Sequence, residues 1–209
     1  MIKMSFERKR TFSWTEVQHI IIAWLVLGLA FSVAVSGPFN INYLGPFLQV
    51  FMISLLTIGA GFVGHELTHK FVAQRYGCLA EFRMWPLGLI LALFFAFFLG
   101  VVFAAPGAVY ITPASFGLGA GITKRENGII SLSGPLANVL FAVIFFLLTF
   151  FNGLLYDIGS LGFFINLFLA AFNLIPFPPM DGHKVFVWSK GIWAIVAIPL
   201  WVIVIILIY

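Results

Sequence analysis

The chain has 209 residues, 62% of them hydrophobic and only 9% charged, with a mean hydropathy of +1.12. A water-soluble domain of this size has no use for so much apolar surface, so the composition points to an all-α polytopic membrane protein forming one embedded domain over residues 1–209. The net charge of +4 rests on few side chains and indicates orientation in a bilayer, not nucleic-acid binding, because Lys and Arg favour the cytoplasmic side.

Residues 1–10 carry Lys3, Arg8, Lys9 and Arg10 and read as a cytoplasmic anchor. A first span is expected over 14–35. The alternative is a signal peptide with Ala34-Val35-Ser36 as a cleavage-like site, but Trp14 and the length suit a permanent helix better. Glu16 and His19 are expected at the inner interface. Residues 36–46 form an uncharged turn on the outer side, and a second span over 46–74 returns inward to Lys70 and Arg75.

The second span carries Gly64-His65-Glu66-Leu67-Thr68-His69-Lys70. Four residues apart on a helix, His65 and His69 project from one face and can bind a single Zn2+. Glu66 then lies beside the metal, placed to take a proton from the attacking water. Ionisable groups at membrane depth are costly and mark function by default.

The apolar run 87–104 is long enough to span, yet it is bounded by Pro86 and by Pro106-Gly107 and could dip in and return. The charges favour return. If the run crosses, Lys124, Arg125, Lys184 and Lys190 fall outside, and Asp181 lies in the opposite leaflet from His65 and His69. If it returns, all eleven Lys and Arg residues face the cytoplasm and Asp157 is the sole outer charge. Further spans are expected over 133–151, opened by Ser133-Gly134-Pro135, over 161–175 and over 191–209. About five transmembrane helices thus flank a re-entrant hairpin, for which β structure is one option.

A catalytic zinc needs three protein ligands and one open position. Of the remaining acidic residues, only Asp181 lies at the right depth, in a stretch broken by Pro176, Pro178 and Pro179, with Gly182 permitting a sharp turn. Cys78, the lone cysteine, excludes an intramolecular disulfide and is a weaker ligand candidate than Asp181. His183 as a fourth ligand would close the site, and an interfacial place suits it better.

His65-Glu66-Leu67-Thr68-His69 on a membrane helix, Gly134-Pro135-Leu136-Ala137-Asn138 on a later one, and the stretch from Asn173 through Pro176 to Asp181-Gly182 together resemble the site-2 protease family of intramembrane zinc metalloproteases. The resemblance covers residues 47–187. It implies one Zn2+ held by His65, His69 and Asp181, with Glu66 as catalytic base and Asn173 near the metal. Asn138 would help in core packing or along the substrate path. It also implies a membrane-dipping β-hairpin after the His-bearing helix, a transmembrane-helix protein as substrate and the lipid bilayer as medium. A prokaryotic cell membrane is expected, with the N-terminus cytoplasmic and the site towards that side. Met180 and His183 stand where the family often has Leu and a second Gly, and no PDZ-like domain is expected.

Two other classes remain. A membrane-bound zincin cutting at the surface would use a later Glu as third ligand, but none follows Glu126. A non-enzymatic metal-binding membrane protein, such as a transporter, would show internal repeats and a path of intramembrane charges, and neither is evident. The sequence carries no mark of oligomeric state.

Overall fold

A computed structural model describes residues 12–37, 44–102, 105–113 and 121–208. Lys3, Arg8, Lys9, Arg10 and part of the expected outer turn lie outside these residues. The described elements are α1 (Trp14–Ser36), α2 (Leu44–Ile58), α3 (Gly64–Arg75), β1 (Cys78–Met84), α4 (Pro86–Leu99), β2 (Gly107–Pro113), α5 (Lys124–Leu148), α6 (Leu154–Asn173), α7 (Asp181–Trp188) and α8 (Lys190–Ile208). A π-helical turn, Gly59–Val63, joins α2 to α3 in one helix, Leu44–Arg75. Among the described residues, five helices are long and apolar enough to cross a membrane: α1, Leu44–Arg75, α5, α6 and α8. The chain is an all-α multi-pass membrane protein with a small two-stranded sheet.

The sheet settles the path of the run 87–104. Strands β1 and β2 pair antiparallel, from Cys78↔Pro113 to Met84↔Gly107, and the Trp85 N–H donates to the Pro106 carbonyl at 2.7 Å. A chain that leaves β1 and comes back into β2 ends on the side where it began, so this segment re-enters. Its 14-residue helix α4 is about 21 Å long, short of a hydrocarbon core of about 30 Å. Residues 87–99 of the apolar run are therefore helical, and the β structure lies on its flanks. Pro86 presets the first turn, and Gly100, at φ 66°, closes the helix with its N–H on the Ala96 and Phe95 carbonyls.

Several boundaries differ from expectation. Helix α5 begins at Lys124, not near Ser133. Thr123 Oγ1 accepts from the Glu126 N–H at 3.2 Å while Glu126 Oε2 accepts from the Thr123 N–H at 2.8 Å, a complete capping box. Pro135 is inside this helix, not at its start. Asp157 lies in the first turn of α6, where a carboxylate suits the helix dipole, not in the loop before it. Helix α6 stops at Asn173, and the Leu174 carbonyl beyond it accepts from Trp193 Nε1 at 2.8 Å. Glu16, expected at the inner interface, is enclosed by protein: it is 1% exposed and paired with Lys70, itself 2% exposed.

In lipid, apolar side chains gain little by leaving their surroundings, so helices associate through close contact of small residues. Gly162 of α6 illustrates this, since a Cβ there would lie 2.4 Å from the Phe145 ring of α5. One buried cluster joins Ala23, Leu27 and Phe31 of α1 to Ile58, Phe82 and Ile165; a second joins Ala170 and Leu174 to Ala197 and Leu200 of α8.

Re-entry has a direct test. In a Cys78→Ala background, single cysteines at the exposed positions Arg75 and Lys124 should react with a membrane-impermeant maleimide from the same face of sealed vesicles. Labelling from opposite faces would mean that the segment between them crosses.

Candidate metal centre

Helical spacing puts His65 and His69 on one face of α3, with ring centroids 4.5 Å apart. Helix α5 crosses this face, and each ring donates its Nδ1 proton to an acceptor there. His65 Nδ1 donates to Asn138 Oδ1 at 2.6 Å, and His69 Nδ1 donates to the Ile130 carbonyl at 2.7 Å. The Asn138 amide is itself oriented, because its Nδ2 donates to the Gly61 carbonyl in the π-helical turn at 2.9 Å and to Asn166 Oδ1 at 3.2 Å. Asn166 donates in turn to the Gly162 carbonyl at 2.9 Å, so each amide in this buried network is satisfied.

With both Nδ1 atoms protonated, each Nε2 carries a bare lone pair. The two Nε2 atoms lie 2.9 Å apart, and Asp181 Oδ2 lies 3.2 Å from that of His65 and 2.8 Å from that of His69. Three acceptors at such distances repel unless a proton or a cation lies among them. Among the described residues, His65, His69 and Asp181 form the one group of three potential metal ligands, all mutually within 4.8 Å. Two imidazoles and a carboxylate are a donor set suited to zinc.

Two glycines make this convergence possible. A Cβ on Gly134 of α5 would sit 2.5 Å from His69 Nε2 and 2.7 Å from His65 Nε2, against both candidate ligand nitrogens. Asp181 opens α7, and a Cβ on Gly182 would lie 2.3 Å from the Leu174 carbonyl, so the bare backbone lets α7 press against the end of α6. Gly182 thus serves by its small size within a helix, not as the sharp turn expected of it. Lys184 Nζ holds the other Asp181 oxygen, Oδ1, at 3.3 Å.

Glu66 is 8% exposed, and its Oε2 has no hydrogen-bond partner among the described residues. It borders a cavity of about 410 Å³ together with His65, His69, Asp181 and the backbone of β2 from Gly107 to Ile111. Asn173 lines the same cavity, with its Nδ2 spent on the Leu169 carbonyl at 2.9 Å. Cys78 lies in β1, away from this group, and burial pushes its thiol up from the ordinary range, with the charge of Glu126 adding to the effect. His183 is half-buried in α7 outside the ligand group.

Gly134, which reads in the sequence as a helix cap, and Asn166 were not legible as parts of the site. Asn166 did leave a signal, as an amide among apolar residues of a membrane segment.

Comparison with known proteins adds two relatives. The chain is 45% identical over 192 residues, 90% of its length and 92% of the relative's, to a Methanocaldococcus jannaschii protein named "Putative zinc metalloprotease MJ0611". It is 28% identical over 153 residues, 63% of its length, to "Putative zinc metalloprotease YwhC" of Bacillus subtilis. No family model matches the chain, and no solved structure does.

The geometry predicts metal content. Purified protein should hold about one zinc per chain, and Gly134→Ala should remove it as thoroughly as Asp181→Ala. Asn138→Leu, which removes the acceptor that orients His65, should weaken zinc affinity about 10- to 100-fold. Full zinc occupancy in Gly134→Ala would show that the ion binds elsewhere.

Proposed function

This chain belongs to the zinc-metalloprotease family of its Methanocaldococcus jannaschii relative, and on that premise we propose that it hydrolyses peptide bonds within the bilayer, in or near transmembrane segments of other membrane proteins. The observation that carries the reading is the depth of the candidate centre within an apolar helix. At 1.5 Å per residue, His69 lies about 9 Å and His65 about 15 Å inside the Arg75 end of the Leu44–Arg75 helix. This is the arrangement that the resemblance to the site-2 protease family implies.

His65, His69 and Asp181 would hold the zinc. When bound, zinc supplies Lewis-acid polarisation of a carbonyl and acidifies water. Glu66, with a free carboxylate oxygen beside the ligand group, takes the proton of the attacking water as its oxygen bonds to the scissile carbonyl carbon. The same proton then passes to the leaving amine as the C–N bond breaks. Asn173 borders the cavity, but its amide nitrogen is engaged on its own helix, which leaves it a shaping part.

A substrate helix has no free backbone groups and must unwind to be cut. Strand β2 offers a partner for the unwound segment. The Phe82 and Met84 N–H groups of β1 are bonded away from β2, so their opposite residues, Val109 and Gly107, also turn their backbone groups away from the pair. That outward edge lines the cavity that Glu66 borders. An extended substrate added along it would run past Glu66. The excess of Lys and Arg at one end of the spans supports a cytoplasmic N-terminus and a site towards that side, and the prokaryotic sources of both relatives support a prokaryotic cell membrane.

In proteoliposomes containing a reporter with a transmembrane segment, Glu66→Gln should retain zinc and lose cleavage by at least about 100-fold. Mass spectrometry of the products should place the cut within the apolar segment. Cuts confined to the flanking polar sequence would identify a surface zincin instead, and an active Glu66→Gln enzyme would remove Glu66 from its role.

A further inference from the structure

The buried pair of Glu16 and Lys70 takes no part in the chemistry above. Glu16 stands in the first turn of α1, and Lys70 follows His69 on α3. The two side chains are 1% and 2% exposed and in direct contact. Two buried charges at the edge of a membrane domain are expensive, and an apolar pair of similar volume is often as stable or more so. Such a pair therefore calls for an explanation beyond stability.

Its other contacts point to one. The second oxygen of Glu16, Oε1, accepts from the Phe82 N–H of β1 at 3.0 Å. One turn along α1, His19 Nδ1 accepts from the Met84 N–H at 3.4 Å. Ser13 donates from its Oγ to the side chain of Glu81, and the Phe12 ring lies under Lys70 Nζ with its centroid 4.2 Å away. Side chains of α1 thus occupy the outer edge of β1, and Lys70 ties the same carboxylate to the helix that bears both histidines.

We propose that Glu16 is a positioning residue whose acceptor oxygen locks β1 to α1, with Lys70 as the counter-charge that permits its burial, so that a substrate strand can add only along β2, at a fixed distance from Glu66. This rests on the strand-addition reading given above. A bilayer offers no water to an unpaired strand edge, so an edge not used for substrate must be closed by side chains. Closing β1 leaves β2 as the edge available for pairing. Because the lock fixes where substrate sits and not the reacting groups, its loss should act on KM and not on kcat.

The test compares two double variants of the zinc-loaded enzyme in proteoliposomes. Glu16→Gln with Lys70→Met removes both charges yet keeps an acceptor for the Phe82 N–H; Glu16→Met with Lys70→Met removes that acceptor as well. The Gln variant should keep KM for the transmembrane reporter within about twofold of wild type. The Met variant should raise it on the order of fivefold, the effect of one net hydrogen bond, with kcat and zinc content unchanged. Hydrogen exchange of amides in residues 78–84 and 107–113 should quicken in the Met variant alone.

Equal KM and equal exchange in the two doubles would overturn the lock, as would a parallel fall in kcat and zinc. His19→Leu disturbs neither charge and covers a failure of the Met variant to fold. Raised KM with faster exchange in β1 supports the lock, and no change overturns it. If wild type cleaves no reporter, the proteolytic reading falls, while the exchange difference still decides the lock.

Discussion

Three lone pairs meet where α3, α5 and α7 come together, and much of the surrounding architecture serves to hold them there. Left alone, His65 Nε2, His69 Nε2 and Asp181 Oδ2 would push one another apart at separations of 2.8 to 3.2 Å. They are held by what lies behind them. Asn138 and the Ile130 carbonyl fix the two rings from α5, and Lys184 restrains the far oxygen of Asp181. Gly134 puts no side chain against the ligand nitrogens, so the same helix that orients the rings also leaves room for what they bind. A cation among them would turn this repulsion into coordination.

The bilayer imposes a second constraint, since each backbone group and each charge at depth must find its partner within the protein. Asn138 donates to the Gly61 carbonyl in the π-helical turn, and Trp193 and Trp201 of α8 donate to the Leu174 and Ala171 carbonyls at the end of α6. The hairpin obeys the same rule unevenly. Its β1 edge is filled by Glu16 and His19, while its β2 edge faces the cavity. An asymmetric sheet of this kind gives the region around Glu66 a built-in direction.

Much of this was legible in the sequence, because the signals were local. Composition and apolar run length gave the membrane class and the spans. The four-residue spacing of His65 and His69 placed both on one face, and charge asymmetry argued that residues 87–104 return. Asp181 stood out as an acid in a proline-broken apolar stretch. Where local signals competed, the reading went astray. Ser133-Gly134-Pro135 resembles a helix start, but the capping box at Thr123 and Glu126 began the helix nine residues earlier, and the proline was carried inside it.

The sequence by itself determined the class of protein, the apolar spans and the residue types able to bind a metal, since these depend on spacing within single segments. The tertiary structure alone decided which groups hold them: Asn138 behind His65, Ile130 behind His69, Glu16 against Lys70 and Phe82. These partners are separated by 54 to 73 residues in the chain. Their pairing follows from helix approach distances, set at Gly134, Gly162 and Gly182 by the absence of a side chain, and no periodicity along the chain records that.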